Sequence, residues 1–276
     1  MRKIDLHTHT LVSDGKLTPN ELVARAQANG VDVLAITDHD TVAAYQQLAD
    51  IKCDGMTIIP GIELSTQWRG INVHIVGLNL NLDSESIIEG VAQQERARSD
   101  RAVLIAKRLT KARLPINFQQ VEEIANHCNV GRPHFAQHLV DLGLVKDMSA
   151  AFKKYLGNGK IGDVKQCWAD LPQIIQWIVE AGGVAVLAHP LKYKMTRTKL
   201  SLLLDDFIEA GGRAMEVVSG KQTQDETRFL AGLSIDKGLL ASCGSDFHQL
   251  SQWSDIGSMS AFPKECEPVW TAWESI

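Results

Sequence analysis

The sequence contains little cysteine, and the spacing of its cysteines excludes the usual cysteine-based structures. The five cysteines among 276 residues are odd in number, lie far apart and form no C-x-x-C pair. This pattern fits neither a disulfide framework nor a zinc knuckle, and it favours a reducing cytoplasm. No stretch approaches the roughly 18 apolar residues of a membrane span, and the polar start is unlike a signal peptide, so we expect no membrane partner.

A positive balance of charge is also missing. The formal net charge of −5 provides no general attraction to nucleic acid, although a local basic patch or a bound metal can still bind phosphate. Hydrophobic residues make up 45% and charged residues 22%, which is ordinary for a globular protein and argues against disorder. The length suits one α/β barrel or one domain with an insertion, and no obligate protein partner is evident.

Seven short apolar runs have the character of buried strands, and helical patterns separate most of them. The runs are KIDLHT, VDVLAIT, MTIIPGIEL, INVHIVGL, GVAVLAHP, AMEVVSG and LLASCGSDF. The first helix is clearly bounded, because Thr18 can cap it and Pro19 suits its first turn. Glu21 stands at the capping-box position and Gly30 follows the end. Strands alternating with helices predict a mainly parallel sheet, either open or closed into a barrel.

The alternation stops between about residues 84 and 170. That segment opens with a long charged helical pattern, which we interpret as a solvated helix face, and continues with three shorter helical segments. The alternation resumes at LPQIIQWIVEAGGVAVLAHP. We therefore predict a barrel made of residues 1–83 and 171–276, with residues 84–170 as an inserted helical subdomain that roofs the functional face.

Two histidines near the start of the chain suggest a metal site. His7 and His9 are two residues apart in a predicted strand, so both side chains point to the same face. Alone, this pair is weak support, because hydrogen bonds can equally satisfy both rings.

Polar side chains at the ends of other apolar strands strengthen the case. A charged or imidazole side chain at such a position is costly unless it is paired or coordinated. In parallel α/β folds, the carboxyl ends of the strands share one face, where active sites are built. Besides Asp38, the candidate ligands are six histidines and three carboxylates: His7, His9, His39, His74, His189, His248, Asp14, Glu63 and Asp246.

Nitrogen and oxygen donors without cysteine suit divalent ions such as Mn, Fe or Zn, with Mn as our first choice. So many donors exceed what one ion can use, which implies two or three metals. Three divalent ions and three ionised carboxylates leave a charge of about +3, which favours a phosphate dianion. Because such a cluster also acidifies a bridging water, the predicted chemistry is metal-assisted hydrolysis.

The motifs resemble the PHP (polymerase and histidinol phosphatase) family of metal-dependent phosphoesterases. They are DLHTHT…SDG, ITDHD, GIE, VHIVG, AHP and GSDFH in that order, and the resemblance covers about residues 1–80 and 170–250. The insertion, with GRPHFAQHLV and FKKYLGNGKIG, resembles the branch of bacterial 3′,5′-nucleoside bisphosphate phosphatases. Some members of that branch are also described as 5′-to-3′ exoribonucleases.

The resemblance implies a distorted (β/α)7 TIM-like barrel of the PHP type with the helical insertion. It also implies three ligand groups: His7, His9, Glu63 and Asp246; Glu63, bridging, with His74 and His189; and Asp14, His39 and His248. Catalysis is then expected at Glu63, His189 and Asp246, where a metal-bridging hydroxide attacks a phosphomonoester of a 3′,5′-bisphosphonucleoside and converts pAp to AMP.

Three alternatives remain open. The first keeps the metals and changes the substrate, as a 5′-to-3′ exoribonuclease that trims 5′-phosphorylated RNA or oligonucleotides. The second is a non-catalytic metal-stabilised module, which usually accompanies a polymerase for which this chain has no room. The third, a carbon–nitrogen hydrolase on a similar barrel, lacks a counterpart of its usual metal-bridging lysine.

Substrate-binding residues are predicted in and after the insertion. Arg132 and His134 stand at a predicted helix start, where anions bind, and a guanidinium matches phosphate. They are candidates for a clamp on a second phosphate or on an RNA backbone. Lys160 in GNGKIG and Arg197 in KYKMTRT are candidates to complete that pocket.

Four other polar residues receive supporting roles. Asp38, next to His39, is expected to orient a ligand ring or to lie behind the ligands. Glu216 either supports the site or forms a structural ion pair. His127 and His138 lie in helical patterns without metal-type neighbours and are expected to be structural.

Overall fold

The structure, a computed structural model, describes residues 2–48, 55–126, 130–164 and 168–273. The chain divides into two compact units. The first, here called the barrel unit, comprises residues 1–91 and 169–276, and the second, the helical unit, comprises residues 92–168.

Seven strands in the described residues form one sheet in which each strand lies beside its sequence neighbour. They are β1 (Ile4–Asp5), β2 (Val33–Ile36), β3 (Thr57–Trp68), β4 (Ile71–Leu78), β5 (Val184–Leu187), β6 (Ala214–Ser219) and β7 (Leu240–Gly244). The Leu6 N–H donates to the Cys243 carbonyl at 3.1 Å, and Thr8 bridges Phe247, so β1 meets β7. The barrel is thus nearly closed, and the predicted (β/α)7 fold is confirmed.

One strand departs from the parallel arrangement. β4 is antiparallel to both β3 and β5, whereas the other neighbouring strands are parallel. Trp68 pairs with Ile71 across a two-residue turn at Arg69 and Gly70, whose φ angles are 46° and 76°. Positive φ at both positions is typical of the tight hairpin turn that matches strand twist. The sequence contained this signal, an Arg-Gly pair between two apolar runs.

Eight helices lie in the described residues. They are α1 (Pro19–Ala28), α2 (Glu85–Lys111), α3 (Phe118–Ala125), α4 (Arg132–Asp141), α5 (Met148–Ala151), α6 (Leu171–Glu180), α7 (Arg197–Glu209) and α8 (Gln224–Asp236). α1 has the predicted capping box, because the Thr18 hydroxyl accepts the Glu21 N–H at 3.2 Å and the Glu21 carboxylate accepts the Thr18 N–H at 2.8 Å.

The barrel core follows the two-residue alternation of its strands. In β2, Val33 and Ala35 join an apolar cluster with residues of β1 and of β3 to β6, inside the barrel. Leu34 and Ile36 point the other way and pack with α1. Trp273, near the end of the described chain, belongs to the interior cluster, so the last segment closes the barrel end opposite the candidate ligands.

α2 and α6 meet at a glycine in the barrel unit. A Cβ on Gly90 would lie 2.7 Å from the ring of Trp177, which is only 6% exposed. Gly232 in α8 has no atom within 4 Å of the same position. The first glycine therefore permits close helix packing, whereas the second has room for a side chain.

The helical unit has its own core, which includes Leu109, Val121 and Phe135. The interpretation of the α2 charge run as a solvated face is wrong for two arginines. Arg98 and Arg101 are 9% and 6% exposed, and their guanidinium carbons lie 5.4 and 5.2 Å from the centre of the Trp168 ring. Spaced three residues apart, they share one helix face and both stack on that indole.

Some sequence expectations bear only on particular residues. Cys243 and Cys266 are free thiols, while the other three cysteines lie outside the described residues. His138 is buried and its Nε2 accepts the Asn117 N–H at 3.3 Å, as expected of a structural residue. His127 lies outside the described residues. Across the parts of the chain that the structure describes, no helix combines the length and apolarity needed to cross a bilayer.

Candidate metal centre

The first two histidines are held where β1 meets β7. Their Nε2 atoms lie 3.1 Å apart, and Asp246 Oδ1 is 3.6 Å from His7 Nε2 and 3.4 Å from His9 Nε2. Gly244 makes this approach possible, because a Cβ there would lie 2.3 Å from the His7 Cβ. Gly244 thus lets His7 and His9 approach Asp246, which is distant from them in the sequence.

A single carboxylate, that of Glu63 in β3, lies at the centre of the histidines and is fully buried. Its Oε1 is 2.9 Å from His74 Nδ1 and 2.9 Å from His189 Nε2. Its Oε2 is near three further rings, at 3.0 Å from His39 Nδ1 and 3.3 Å from the Nε2 atoms of His7 and His9. One carboxylate therefore faces five imidazoles.

Two candidate ligands, Glu63 and His74, lie inside strands rather than at their carboxyl ends. This histidine lies within β4, four residues before the strand ends. Because β4 is antiparallel, its amino-terminal half lies at the same end of the barrel as the carboxyl ends of the parallel strands. Reversal of the strand therefore brings an internal residue to the functional face.

The structure brings all nine predicted ligands into four groups that can hold a metal ion. In each group, one nitrogen or oxygen atom per residue lies within 4.8 Å of the others. The groups are His9, Asp14, His39 and His248; His7, His9 and Asp246; His7, Glu63 and His189; and His39, Glu63 and His74. Because four residues belong to two groups each, the groups overlap and form one continuous cluster.

Several buried atoms of the cluster fit divalent ions. Within the described residues, Glu63 Oε2, Asp14 Oδ1, His39 Nδ1 and His9 Nδ1 have no hydrogen-bond partner. Buried polar atoms are normally hydrogen-bonded, and leaving them unpaired is costly. A cation between carboxylate oxygens and imidazole nitrogens would satisfy both. This donor set, without thiolates, suits Mn, Fe or Zn.

The protonation states of the cluster also suit metal binding. Burial alone would raise the pKa of Glu63, but the imidazoles, His39 first, hold it well below its usual range. The pKa of Asp14 is likewise held low by His39 and His248 against the effect of burial. Burial lowers the pKa of His39 and of His189 to about 4. At neutral pH these carboxylates are ionised and these two imidazoles are neutral, which are the forms that bind metals.

His7 has the opposite shift. Burial lowers its pKa, but the carboxylates of Glu216 and Glu63 outweigh burial and raise it to about 10. Metal binding at His7 must therefore displace a proton.

Two of the candidate ligands occupy an unusual backbone conformation. His189 has φ 28° and ψ 60°, and Asp246 has φ 51°. For residues other than glycine, this left-handed region costs about 1–3 kcal/mol, and such strain clusters at functional sites. The His189 N–H donates to Glu216 Oε2 at 2.6 Å, and the Asp246 N–H donates to the His7 carbonyl at 2.8 Å. These bonds hold both residues in place.

Buried carboxylates behind the ligands fix their positions. Glu216 Oε1 contacts His7 Nδ1 at 2.6 Å, and Glu216 Oε2 accepts the His189 N–H. Glu216 therefore supports two candidate ligands and does not form an ion pair away from the site. Asp38 accepts the Thr10 N–H at 2.7 Å and the Ser13 hydroxyl at 2.6 Å. It therefore anchors the loop that leads to Asp14 and lies behind the ligands.

Sequence reasoning missed two residues that follow His189. The Lys192 ammonium contacts the carboxylate of Asp246. The Tyr193 hydroxyl donates to the Ala188 carbonyl at 2.8 Å and accepts the N–H of a candidate ligand, His74, at 2.9 Å. The available signal was their position directly after the AHP motif, within the short helical turn Pro190–Tyr193.

The predicted substrate-binding residues of the helical unit have local partners. Arg132 Nη1 donates to the Leu156 carbonyl at 3.2 Å, and burial lowers the pKa of this guanidinium. His134 Nδ1 accepts the Gly131 N–H at 2.9 Å and so caps the start of α4. Lys160 is exposed in a turn. In the barrel unit, the Arg197 guanidinium lies over a phenylalanine ring of α8 at 4.7 Å.

The fold and the ligand cluster define a class, the metal-dependent hydrolases built on a TIM-like barrel. The PHP domain family matches residues 5–181 of this chain. The chain is 44% identical to the 5′-3′ exoribonuclease Rnm of Escherichia coli (strain K12) over 273 residues, which cover 98% of this chain and 93% of that protein.

Chromobacterium violaceum provides a second relative and a solved structure. Its 3′,5′-nucleoside bisphosphate phosphatase is 39% identical over 278 residues, 100% of this chain and 98% of that protein. The structure of an amidohydrolase from the same organism, with bound sulfate, has a TM-score of 0.88 and 39% identity, covering 98% of this chain and 95% of that one. The chain belongs to the PHP domain family and is a metal-dependent phosphoesterase.

Proposed function

We propose that this chain hydrolyses a phosphomonoester of 3′,5′-bisphosphonucleosides, with pAp converted to AMP, using two or three divalent metal ions, Mn before Fe or Zn. The observation that carries the proposal is the position of Glu63 in two overlapping ligand groups. A carboxylate shared in this way suits neighbouring cations, and neighbouring cations suit phosphate. The name of the relative from Chromobacterium violaceum supports the choice of substrate.

The residues that would hold the ions are the nine of the cluster, His7, His9, Asp14, His39, Glu63, His74, His189, Asp246 and His248. When bound, such ions supply Lewis-acid stabilisation of phosphoryl oxygens and lower the pKa of water. Glu216 accepts the Nδ1–H of His7, so the proton that a metal ion would displace is the one on Nε2, which faces the cluster. We assign catalysis to Glu63, His189 and Asp246, which orient the phosphoryl group.

Contacts to the rest of the substrate are assigned to Arg132, His134, Lys160 and Arg197. Arg132 is the strongest of these, because a guanidinium that is partly removed from water binds phosphate in a bidentate geometry. Arg132→Ala should raise KM for bisphosphates more than for a simple monophosphate ester. Equal effects on both substrates would remove Arg132 from this role.

A second candidate function uses the same cluster on RNA. The name of the Escherichia coli relative favours a 5′-to-3′ exoribonuclease that trims 5′-phosphorylated RNA or oligonucleotides. Both activities break a phosphoric ester bond, so one cluster can serve both.

The spacing of the cysteines favours the cytoplasm as the compartment, and two of them are free thiols.

The decisive experiment compares kcat/KM of the Mn-loaded protein for pAp and for a short 5′-phosphorylated RNA. Preference for pAp, with release of AMP and phosphate, supports the phosphatase. Release of mononucleotides from the 5′ end of the RNA at equal or greater efficiency supports the exoribonuclease. Turnover that survives complete chelation would refute both, and Glu63→Ala serves as the inactive reference.

A further inference from the structure

A pocket of about 260 Å³ lies beside the candidate metal centre, within the barrel unit. It is formed by the turn after β5 and by the segment between β6 and α8. Its polar lining consists of His189, Lys192, Ser219, Lys221, Gln222 and Glu226. His189 also belongs to a ligand group with Glu63, so this residue lines both the pocket and the candidate metal centre.

Two of these polar side chains already have partners. The Gln222 side chain accepts the Ser219 N–H at 3.2 Å and donates to the Val217 carbonyl at 2.7 Å. The Glu226 carboxylate accepts the Thr223 N–H at 2.7 Å in the capping box of α8. Both side chains therefore shape the pocket and are occupied by the fold itself.

Among the remaining polar groups of the pocket, the Ser219 hydroxyl and the two lysines can donate, and His189 Nδ1 would carry the ring proton once a metal ion holds Nε2. Ser219 Oγ and His189 Nδ1 are buried, and neither has a hydrogen-bond partner in the described parts of the chain. Lys221 is exposed and lines the pocket. A hydroxyl, an imidazole nitrogen and an ammonium group around a small space complement an anion with several acceptor oxygens.

Lys192 connects the pocket with the ligand cluster. Its side chain lines the pocket, and its ammonium contacts the carboxylate of Asp246. The positive charge of Lys192 is thus shared between the candidate metal centre and the pocket.

We propose that this pocket, rather than Arg132, binds the phosphate group of the substrate that is not hydrolysed; the two assignments compete, and the binding experiment below separates them. The inference rests on the proposed function, in which one phosphate of a bisphosphate lies at the metal centre. The volume of about 260 Å³ is smaller than the ~300–1,000 Å³ typical of pockets that enclose a whole ligand. It suits a phosphate with part of its sugar. Ser219 and Lys221 donate to this phosphate, and Lys192 faces both phosphates.

The test compares two substrates in variants of the pocket. Lys221→Ala should lower the ratio of kcat/KM for pAp to that for p-nitrophenyl phosphate by about tenfold, mainly through KM for pAp. Lys221→Arg should restore most of this ratio, because it returns the positive charge. Lys199→Ala, at an exposed lysine of α7 outside the pocket, is the matched control. A ratio in Lys221→Ala within about twofold of wild type overturns the proposal.

Equilibrium binding to chelator-treated protein provides a readout that does not depend on turnover. Wild-type protein should bind AMP, which keeps the phosphate that is not hydrolysed, more tightly than adenosine, which has no phosphate, and Lys221→Ala should remove this preference. Equal binding of AMP and adenosine by wild type, or a preference removed by Arg132→Ala but not by Lys221→Ala, shows that the pocket is not the subsite. If wild type hydrolyses p-nitrophenyl phosphate but neither pAp nor RNA, the proposed function fails, while the binding comparison still decides the pocket.

Discussion

Substitution of Glu63 by glutamine should reduce the metal-induced rise in melting temperature more than substitution of any histidine that belongs to one group. Glu63 is one of three residues in each of two groups, and a neutral amide is a much weaker ligand than a carboxylate, so the variant leaves each group with two strong ligands. An ion at a thousand times its Kd stabilises the folded state by about 4 kcal/mol. In a chain of this size, 1 kcal/mol shifts Tm by about 2–4 °C, so each ion contributes about 8–16 °C.

The assay is thermal unfolding with chelator and with saturating Mn. The quantity compared is the difference between the two melting temperatures, so effects of the substitution on the metal-free fold cancel. Glu63→Gln should lose the shift of two ions. His248→Ala should lose at most one, because His248 belongs to one group. Glu209→Gln, at an exposed position of α7, should keep the full shift. A full shift in Glu63→Gln would refute the shared-ligand assignment.

Three further predictions concern residues behind the site and in the scaffold. Glu216→Gln keeps the size of the side chain but removes the charge beside the first histidine, so Mn affinity measured by calorimetry should fall about 10–100-fold. Unchanged affinity would contradict this. Arg25→Gln removes the hydrogen bonds that lower the pKa of Asp255, a half-exposed pair for which we expect a loss of about 1 kcal/mol or less. Folding lowers the pKa of Asp255, so the variant should lose the full stabilisation at pH 7, above the unfolded-state pKa of about 4. This loss of unfolding free energy should fade as the pH falls through the folded-state pKa. Equal losses in urea unfolding at both ends of that range would argue against the pair. Gly90→Ala should destabilise the fold by about 1–3 kcal/mol through overlap with a buried ring. Gly232→Ala should stabilise it by about 0.5–1 kcal/mol, and thermal unfolding that gives both variants the same sign would count against the packing argument.

The strands and helix ends were predictable because their signals are local. All seven apolar runs form strands, and the capping box of α1 has the predicted partners. The antiparallel direction of β4 was missed, since an apolar run has the same pattern in either direction. Only the short Arg-Gly turn before β4 distinguishes an antiparallel strand from a parallel one. The burial of Arg98 was also beyond local reasoning, because its partner Trp168 lies far along the chain.

The members of the candidate site were predictable, whereas their arrangement was not. Polar side chains inside or at the ends of apolar strands identified most of the cluster, and the SDG motif of the resemblance supplied Asp14, which lies in a turn. The division into groups depends on side-chain positions of a few ångströms. The resemblance implied that only Glu63 is shared between groups, whereas the groups in the structure also share His7, His9 and His39. Lys192 carries no sequence signal of its own beyond its neighbourhood, because exposed lysines are common.

The meeting of β1 and β7 also has a consequence for biosynthesis. His7 leaves the ribosome 239 residues before Asp246, whose Oδ1 lies 3.6 Å from His7 Nε2 in the folded protein. At roughly 5–20 residues per second, the stretch between them takes on the order of 10–50 s to be made. A nascent chain therefore carries most of its ligands for many seconds without the residues that complete the cluster. We therefore expect hydrolytic activity only after Asp246 has been synthesised, and a chain truncated before residue 246 should be inert.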